Sequence, residues 1–141
     1  MPTATHSELG DATFKPFTSV QSVLSSIRRP DRLRPDPLHD PVAIKFPLNK
    51  CLAPWDPSKI LPRAMTTSGG GNWHPSGLRD FTLREYAALQ GFPECHLFKG
   101  KAVKKQIGNA VPPCIAKVLF ESIKRDLSAA DGMEDGAEFI G

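Results

Sequence analysis

Proline decides what much of this chain cannot become. Fourteen of its 141 residues are proline and eleven are glycine, mostly in the first hundred positions. Residues 28 to 62 alternate prolines with charges, as in Arg28-Arg29-Pro30-Asp31-Arg32-Leu33-Arg34-Pro35-Asp36-Pro37 and His39-Asp40-Pro41. A proline ring removes a backbone donor and clashes with the preceding helical turn, which closes this stretch to a long helix or a central strand. The first hundred residues are therefore expected to be loop-rich, around a modest core. Val42-Ala43-Ile44-Lys45-Phe46 is the best short strand candidate there. His39 beside Asp40 has no nucleophile or metal-like spacing near it and reads as a turn. The four arginines between positions 28 and 34 either lie along phosphates or form a solvated loop, with Asp31 and Asp36 offsetting part of their charge.

Helix signals stand on either side of this stretch. Thr18 or Ser19 can cap a short helix with Val20, Val23, Leu24 and Ile27 on one face. Further on, Thr82 and Glu85 have capping-box spacing, and Phe81 and Tyr86 can staple the same helix start. Gly91 supplies a stop and Pro93 prevents resumption. Pro113 suits a first helical turn. Behind it Ile115, Val118, Leu119, Ile123 and Leu127 recur on one face, with Lys117, Glu121, Lys124 and Arg125 elsewhere. Gly108-Asn109 before that helix either aims backbone and amide groups at a small ligand or makes a structural turn. Residues 63 to 75 combine hydroxyls, three glycines and Trp73, an indole that either stacks on a base or sugar or packs in the core.

The length allows one domain or less. No apolar run approaches the ~20 residues that span a bilayer, and Met1-Pro2-Thr3-Ala4-Thr5-His6 has no secretion-signal character. Cys51, Cys95 and Cys114 show no metal-like spacing and are odd in number, which predicts reduced thiols in an intracellular protein and no metal site. The net charge of +3 hides an asymmetry, because the tail from Ser128 to Gly141 holds four acids and no base. Residues 1 to 127 carry 18 basic against 11 acidic side chains. Such a body suits a polyanion, or is simply solvated. The tail, rich in Gly, Ala and acids, is expected to be disordered.

Two blocks carry a resemblance. Arg79-x-Phe81-Thr82-x-Arg84-Glu85-x-Ala87-x-Leu89-Gln90-Gly91-Phe92-Pro93, followed by Gln106-Ile107-Gly108-Asn109-Ala110-Val111-Pro112-Pro113, resembles the last two sequence blocks of the C5-cytosine DNA methyltransferases, in the family's order. Pro2-x-x-Thr5-His6 is similar to a segment just after the family's eighth block. The 18–27 helix is similar to one leading into its target-recognition region. The resemblance is nearest to fungal members, which implies a nuclear protein.

It implies an α+β fold: a connector (1–17), a small loop-rich target-recognition region (18–78), and two helices (79–127) belonging to a Rossmann-like domain whose N-terminal part is absent. The acidic tail (128–141) follows. It also implies methyl transfer from S-adenosylmethionine to carbon 5 of cytosine in double-stranded DNA, with the base rotated out of the stack. In the family a Pro-Cys-Gln thiolate adds to carbon 6, a glutamate from Glu-Asn-Val holds the ring nitrogen, and an aromatic-Gly-x-Gly loop binds most of the cofactor. None of those blocks is in this sequence, so no catalytic residue is assigned. The chain alone is expected to be inactive unless the missing part, on a second chain for instance, is supplied.

The family's last block implies cofactor contact for Asn109, Ala110 and Val111, with Gln106 and Gly108 shaping the turn. The block before it implies structural roles for Arg79, Thr82, Arg84, Glu85 and Gln90. A hydroxyl pair followed by glycines precedes that block in the family, so Thr66, Thr67, Gly70 and Gly71 are carried over as DNA contacts. Lys99, Lys101, Lys104 and Lys105 are plausible phosphate neighbours. Lys104 and Lys105 stand where family members often have an aromatic and an arginine. The other function class open to these residues is a non-catalytic DNA-binding or interaction module derived from such an enzyme.

Overall fold

The computed structural model describes residues 2, 6–7, 10 and 15–137. Much of the expected connector, Thr5 of its motif included, and residues 138–141 of the tail lie outside the described residues. Among the described residues the fold is mostly helical. His6–Ser7 (β1) pairs in parallel with Lys15–Pro16 (β2), His6 opposite Lys15 and Ser7 opposite Pro16. Helices follow at Val20–Ser26 (α1), Leu83–Leu89 (α2), Val103–Asn109 (α3) and Pro113–Ala137 (α4), with a 3-10 turn at Leu48–Lys50.

Helix α2 is the hub, and each of its sequence signals is present. The Thr82 hydroxyl accepts from the Glu85 N–H at 3.2 Å, and the Glu85 carboxylate accepts from the Thr82 N–H at 2.8 Å. Phe81 and Tyr86 meet edge to face with centroids 5.4 Å apart. At the far end, Phe92 N–H donates to Ala87 C=O at 2.9 Å and Gly91 N–H to Ala88 C=O at 3.0 Å. That closure requires a left-handed residue at Gly91, whose φ is +84°. Phe81, Tyr86 and Ala87 share one core with Val20 of α1 and with Val103 and Ile107 of α3. Burial of each larger apolar side chain contributes roughly 1.5–3 kcal/mol.

Helix α1 starts at Ser19, whose Oγ accepts from Ser22 N–H at 3.2 Å. Two further end donors are satisfied across the fold, Val20 N–H by Lys59 C=O at 2.9 Å and Gln21 N–H by Pro57 C=O at 2.7 Å.

The proline-rich stretch supplies its turns through aspartates. Asp31 Oδ1 accepts from the N–H groups of Leu33 and Arg34, Asp36 Oδ1 from Leu38 and Asp40 Oδ1 from Val42 and Ala43. Short side-chain bonds of this kind replace the ladder that proline denies. They also correct the strand expected over Val42–Phe46. Asp40 turns the chain there, and what remains is a single antiparallel bridge between Lys45 and Arg79.

Helix α4 departs from expectation as well. It continues past Leu127 to Ala137, through much of a tail expected to be disordered. Ala, Met and Glu are good helix formers and no proline interrupts the run, so propagation outweighs the glycines at positions 132 and 136. Among the described residues helix α4 packs against none of the other helices.

Candidate functional site

Two ion pairs anchor α2 to the chain around it. Arg79 donates to both Glu85 carboxylate oxygens, at 2.7 and 2.8 Å. Burial opposes the Glu85 charge, but the Arg79 hydrogen bonds and the Thr82 N–H hold its carboxyl below the usual range. Arg84 donates to Asp36 at 2.8 Å and to Glu94 C=O at 3.2 Å, tying α2 to the proline loop. Burial likewise opposes the Asp36 charge and is outweighed by bonds from Arg84 and Leu38 N–H, so its pKa lies low. The His39 ring lies 2.7 Å from the Thr82 hydroxyl. Arg79, Thr82, Arg84 and Glu85 thus form the scaffold of the helix.

The turn between α3 and α4 carries the candidate cofactor residues. Gln90 Nε2 donates to Ile107 C=O at 3.2 Å and to Ala110 C=O at 2.9 Å, so α2 sets the path of this turn. Asn109 is exposed, and Val111 is 61% exposed. An open amide beside an open isopropyl group fits the edge of a small-molecule site with one polar and one apolar side. Gln106 and Gly108, expected to shape the turn, lie inside α3, ahead of it. Gln106 Nε2 donates back to Lys99 C=O at 2.6 Å.

Gly108 has a different reason to lack a side chain. A Cβ there would sit on the Thr66 carbonyl and the Thr67 nitrogen. Helix α3 therefore rests directly on the peptide between the two threonines, one residue away from Asn109. The cofactor candidates begin one residue beyond this contact, and the DNA candidates Thr66 and Thr67 form its other side. Thr66 and Thr67 are exposed, and Gly69, Gly70 and Gly71 follow with φ of +96°, +70° and +72°.

Several important residues were missed by the motif reading. Asn72, buried, closes the glycine loop: its Nδ2 donates to Arg63 C=O at 3.1 Å and Gly69 C=O at 2.8 Å, and its Oδ1 accepts from Arg63 N–H at 3.3 Å. Asp80 accepts from Tyr86 O–H at 2.6 Å and pairs with Lys104 at 3.0 Å. Burial, then the Asp80 hydrogen bond, pushes the Tyr86 hydroxyl well above its ordinary pKa. Lys104 Nζ lies 4.7 Å from the centre of the Tyr86 ring. A lysine with an apolar stem and a paired head covers Tyr86 at the position where the family often has an aromatic. Trp55 packs on the core, whereas Trp73 is half-exposed and does not join it.

A family model described as C-5 cytosine-specific DNA methylase matches residues 13–125. The type II methyltransferase M.NgoFVII of Neisseria gonorrhoeae is 32% identical over 152 residues, covering 86% of this chain and 40% of the relative. The type II methylase M.HgiDII of Herpetosiphon aurantiacus is 43% identical over 83 residues, 52% of this chain and 23% of the relative. DNA (cytosine-5)-methyltransferase 1A of rice, Oryza sativa subsp. japonica, is 44% identical over 59 residues, 40% of this chain and 4% of the relative. The chain thus spans less than half the length of each of these relatives, which come from bacteria and a plant. No solved structure matches.

Proposed function

The chain belongs to the C-5 cytosine-specific DNA methylase family, and we propose that it is the C-terminal portion of a DNA (cytosine-5-)-methyltransferase. In this reading Asn109, Ala110 and Val111 form one edge of the S-adenosylmethionine pocket, the cofactor being the source of the methyl group. Thr66, Thr67, Gly70 and Gly71 face double-stranded DNA. The apolar side of α4 lies against a Rossmann-like sheet contributed by the complementary portion of the enzyme. That portion carries the cysteine and glutamate blocks and does the bond-making.

The observation that carries the reading is the Gly108 contact. It sets an open turn suited to a small ligand one residue from an exposed hydroxyl loop suited to a polyanion, both fixed to the buried scaffold of α2. Methyl transfer needs donor and nucleic acid held in one fixed relation, since misplacement of either by about 1 Å costs a large share of the rate.

The test is complementation. The chain is combined with a polypeptide carrying the Pro-Cys-Gln and Glu-Asn-Val blocks, and incorporation of labelled methyl groups into duplex DNA is measured. Transfer by the mixture and by neither part alone is expected. A stable complex of the two that transfers nothing refutes the reading. A non-catalytic DNA-binding module is the second reading, favoured by Arg29 and Arg32, whose side chains form no ion pair or hydrogen bond among the described residues. It requires salt-sensitive duplex binding by the chain alone.

A further inference from the structure

A cleft of about 220 Å³ lies between Trp55, Pro62, Arg63, Gly71, Asn72 and Trp73. Neither indole is held there by its ring alone. Trp55 Nε1 donates to Trp73 C=O at 3.0 Å, and Trp73 Nε1 donates to Ala53 C=O at 2.9 Å. The two bonds run between the same pair of chain segments in opposite senses. They spend the polar edges of both rings on backbone and leave π surface for the cleft. Trp73 is half-exposed, and the core does not use it.

The cleft also has a cation. The Arg63 guanidinium lies across Gly71, where a Cβ would stand 2.8 Å from Nη1, and among the described residues it forms no ion pair or hydrogen bond. The Arg63 backbone is meanwhile fixed on both sides by Asn72. A rigid aromatic wall beside an uncommitted guanidinium complements a planar π ring attached to an anion. A nucleotide has that chemistry, provided its base is outside the helical stack. Along its grooves a fully paired duplex presents only base edges and offers no ring face to the indole.

We infer that the Trp55–Arg63–Trp73 cleft takes an unstacked nucleotide of the DNA, its base against Trp73 and its phosphate on Arg63. This subsite lies in the loop that the proposed function turns towards DNA, and the inference rests on that orientation. It makes the loop a reader of unpaired or extruded nucleotides, and not only a track along the backbone.

The sequence contains two tryptophans, and both line the cleft, so selectively excited tryptophan fluorescence of the full chain reports on this place alone. The full-length chain is titrated with a duplex carrying one unpaired nucleotide, and with the same duplex fully paired. Preferential quenching by the first is expected. Trp73→Leu should weaken binding of the unpaired-nucleotide duplex about 5- to 150-fold, the usual range for loss of one stacking partner. Arg63→Gln, whose side chain lies outside the core, should lower the salt dependence by about one phosphate contact and leave helical content unchanged.

Equal quenching by both duplexes overturns the inference, as does binding without quenching or binding insensitive to both variants. An absence of any DNA binding also overturns it. Methyl transfer in the complemented enzyme is a separate readout. Transfer without selective quenching removes this subsite and keeps the proposed function; selective quenching without transfer does the reverse.

Discussion

Glu85→Gln removes one charge from the best-buried ion pair while keeping side-chain volume. The Glu85 and Arg79 side chains are 5% and 12% exposed. Glu85 answers three donors: two from Arg79 and the Thr82 N–H. A glutamine has one carbonyl oxygen, and its NH₂ would face the guanidinium. Leaving one partner of a buried pair without its counter-charge costs about 3–5 kcal/mol. Arg79 also donates to Asp80 C=O at 3.0 Å, which places this case at the lower end. Whole domains are stable by about 5–15 kcal/mol, so the variant should be near its limit. The pH dependence gives a second handle. Burial raises the Glu85 pKa, the Arg79 and Thr82 bonds lower it more, and the folded value lies below the ordinary 4.5. Its contribution is therefore complete above pH 4.5 and disappears as pH falls through the depressed folded value. Urea unfolding of both proteins, followed by circular dichroism from neutral pH down to acid, should show a gap that is widest at neutrality and closes in acid. Equal midpoints at neutral pH, or a gap constant with pH, would refute this account.

Gly108→Ala should lower thermal stability by the equivalent of about 1–3 kcal/mol, because its methyl meets backbone rather than a movable side chain. Gly132→Ala, with nothing within 4 Å of the new atom, is the matched control and should not destabilise. For His74, burial and then the Arg79 charge lower the pKa from 6.5, with Glu85 opposing. The folded protein thus resists a proton that the unfolded chain accepts. Stability should decline as pH falls from about 6.5 towards the folded value, and His74→Gln should flatten that slope in a melting series. Lys104→Phe should change stability by no more than about 1 kcal/mol in urea unfolding, since the ring replaces cover over Tyr86 while a partly exposed ion pair to Asp80 is lost.

Helix α2 was legible residue by residue, because its cap, staple and glycine closure are local and each fixes two or three dihedrals near its own position. The Ser19 start of α1 and the Pro113 start of α4 were legible for the same reason. What the pattern did not reveal is long-range. Asp36 and Arg84 are 48 positions apart, and nothing in periodicity pairs them. Gly108 looked like a turn residue beside Asn109, but its lack of a side chain serves a contact with Thr66, which no local rule contains. The Val42–Phe46 run had strand composition, yet Asp40 offered its N–H groups a nearer partner. The Asn109–Val111 and Thr66–Gly71 candidates came from a resemblance; the residues that connect them, Gln90, Gly108 and Asn72, emerge from geometry.

The same geometry leaves the apolar side chains of α4 outside the shared core, although Ser122 of that helix is buried. Helices α1 to α3 share one core, but Ile115, Val118, Leu119, Phe120, Ile123 and Leu127 remain between 43% and 70% exposed. Cys114 lies at the Gly91 corner, and among the described residues the helix packs on no other helix beyond that turn. Most helical stability in proteins comes from burying an apolar face rather than from propensity. In the isolated chain the α4 amides should therefore exchange with deuterium early, through local opening, while those of α2 exchange only on loss of the shared core. Binding of the complementary methyltransferase portion should slow α4 selectively. Ile115→Ser combined with Ile123→Ser should then abolish complementation while changing the unfolding free energy of the isolated chain, measured in urea, by less than about 0.5 kcal/mol, as expected of surface substitutions. Should α4 already be protected as strongly as α2 in the chain alone, its apolar face has found cover within the molecule, and the argument that it awaits the rest of an enzyme fails.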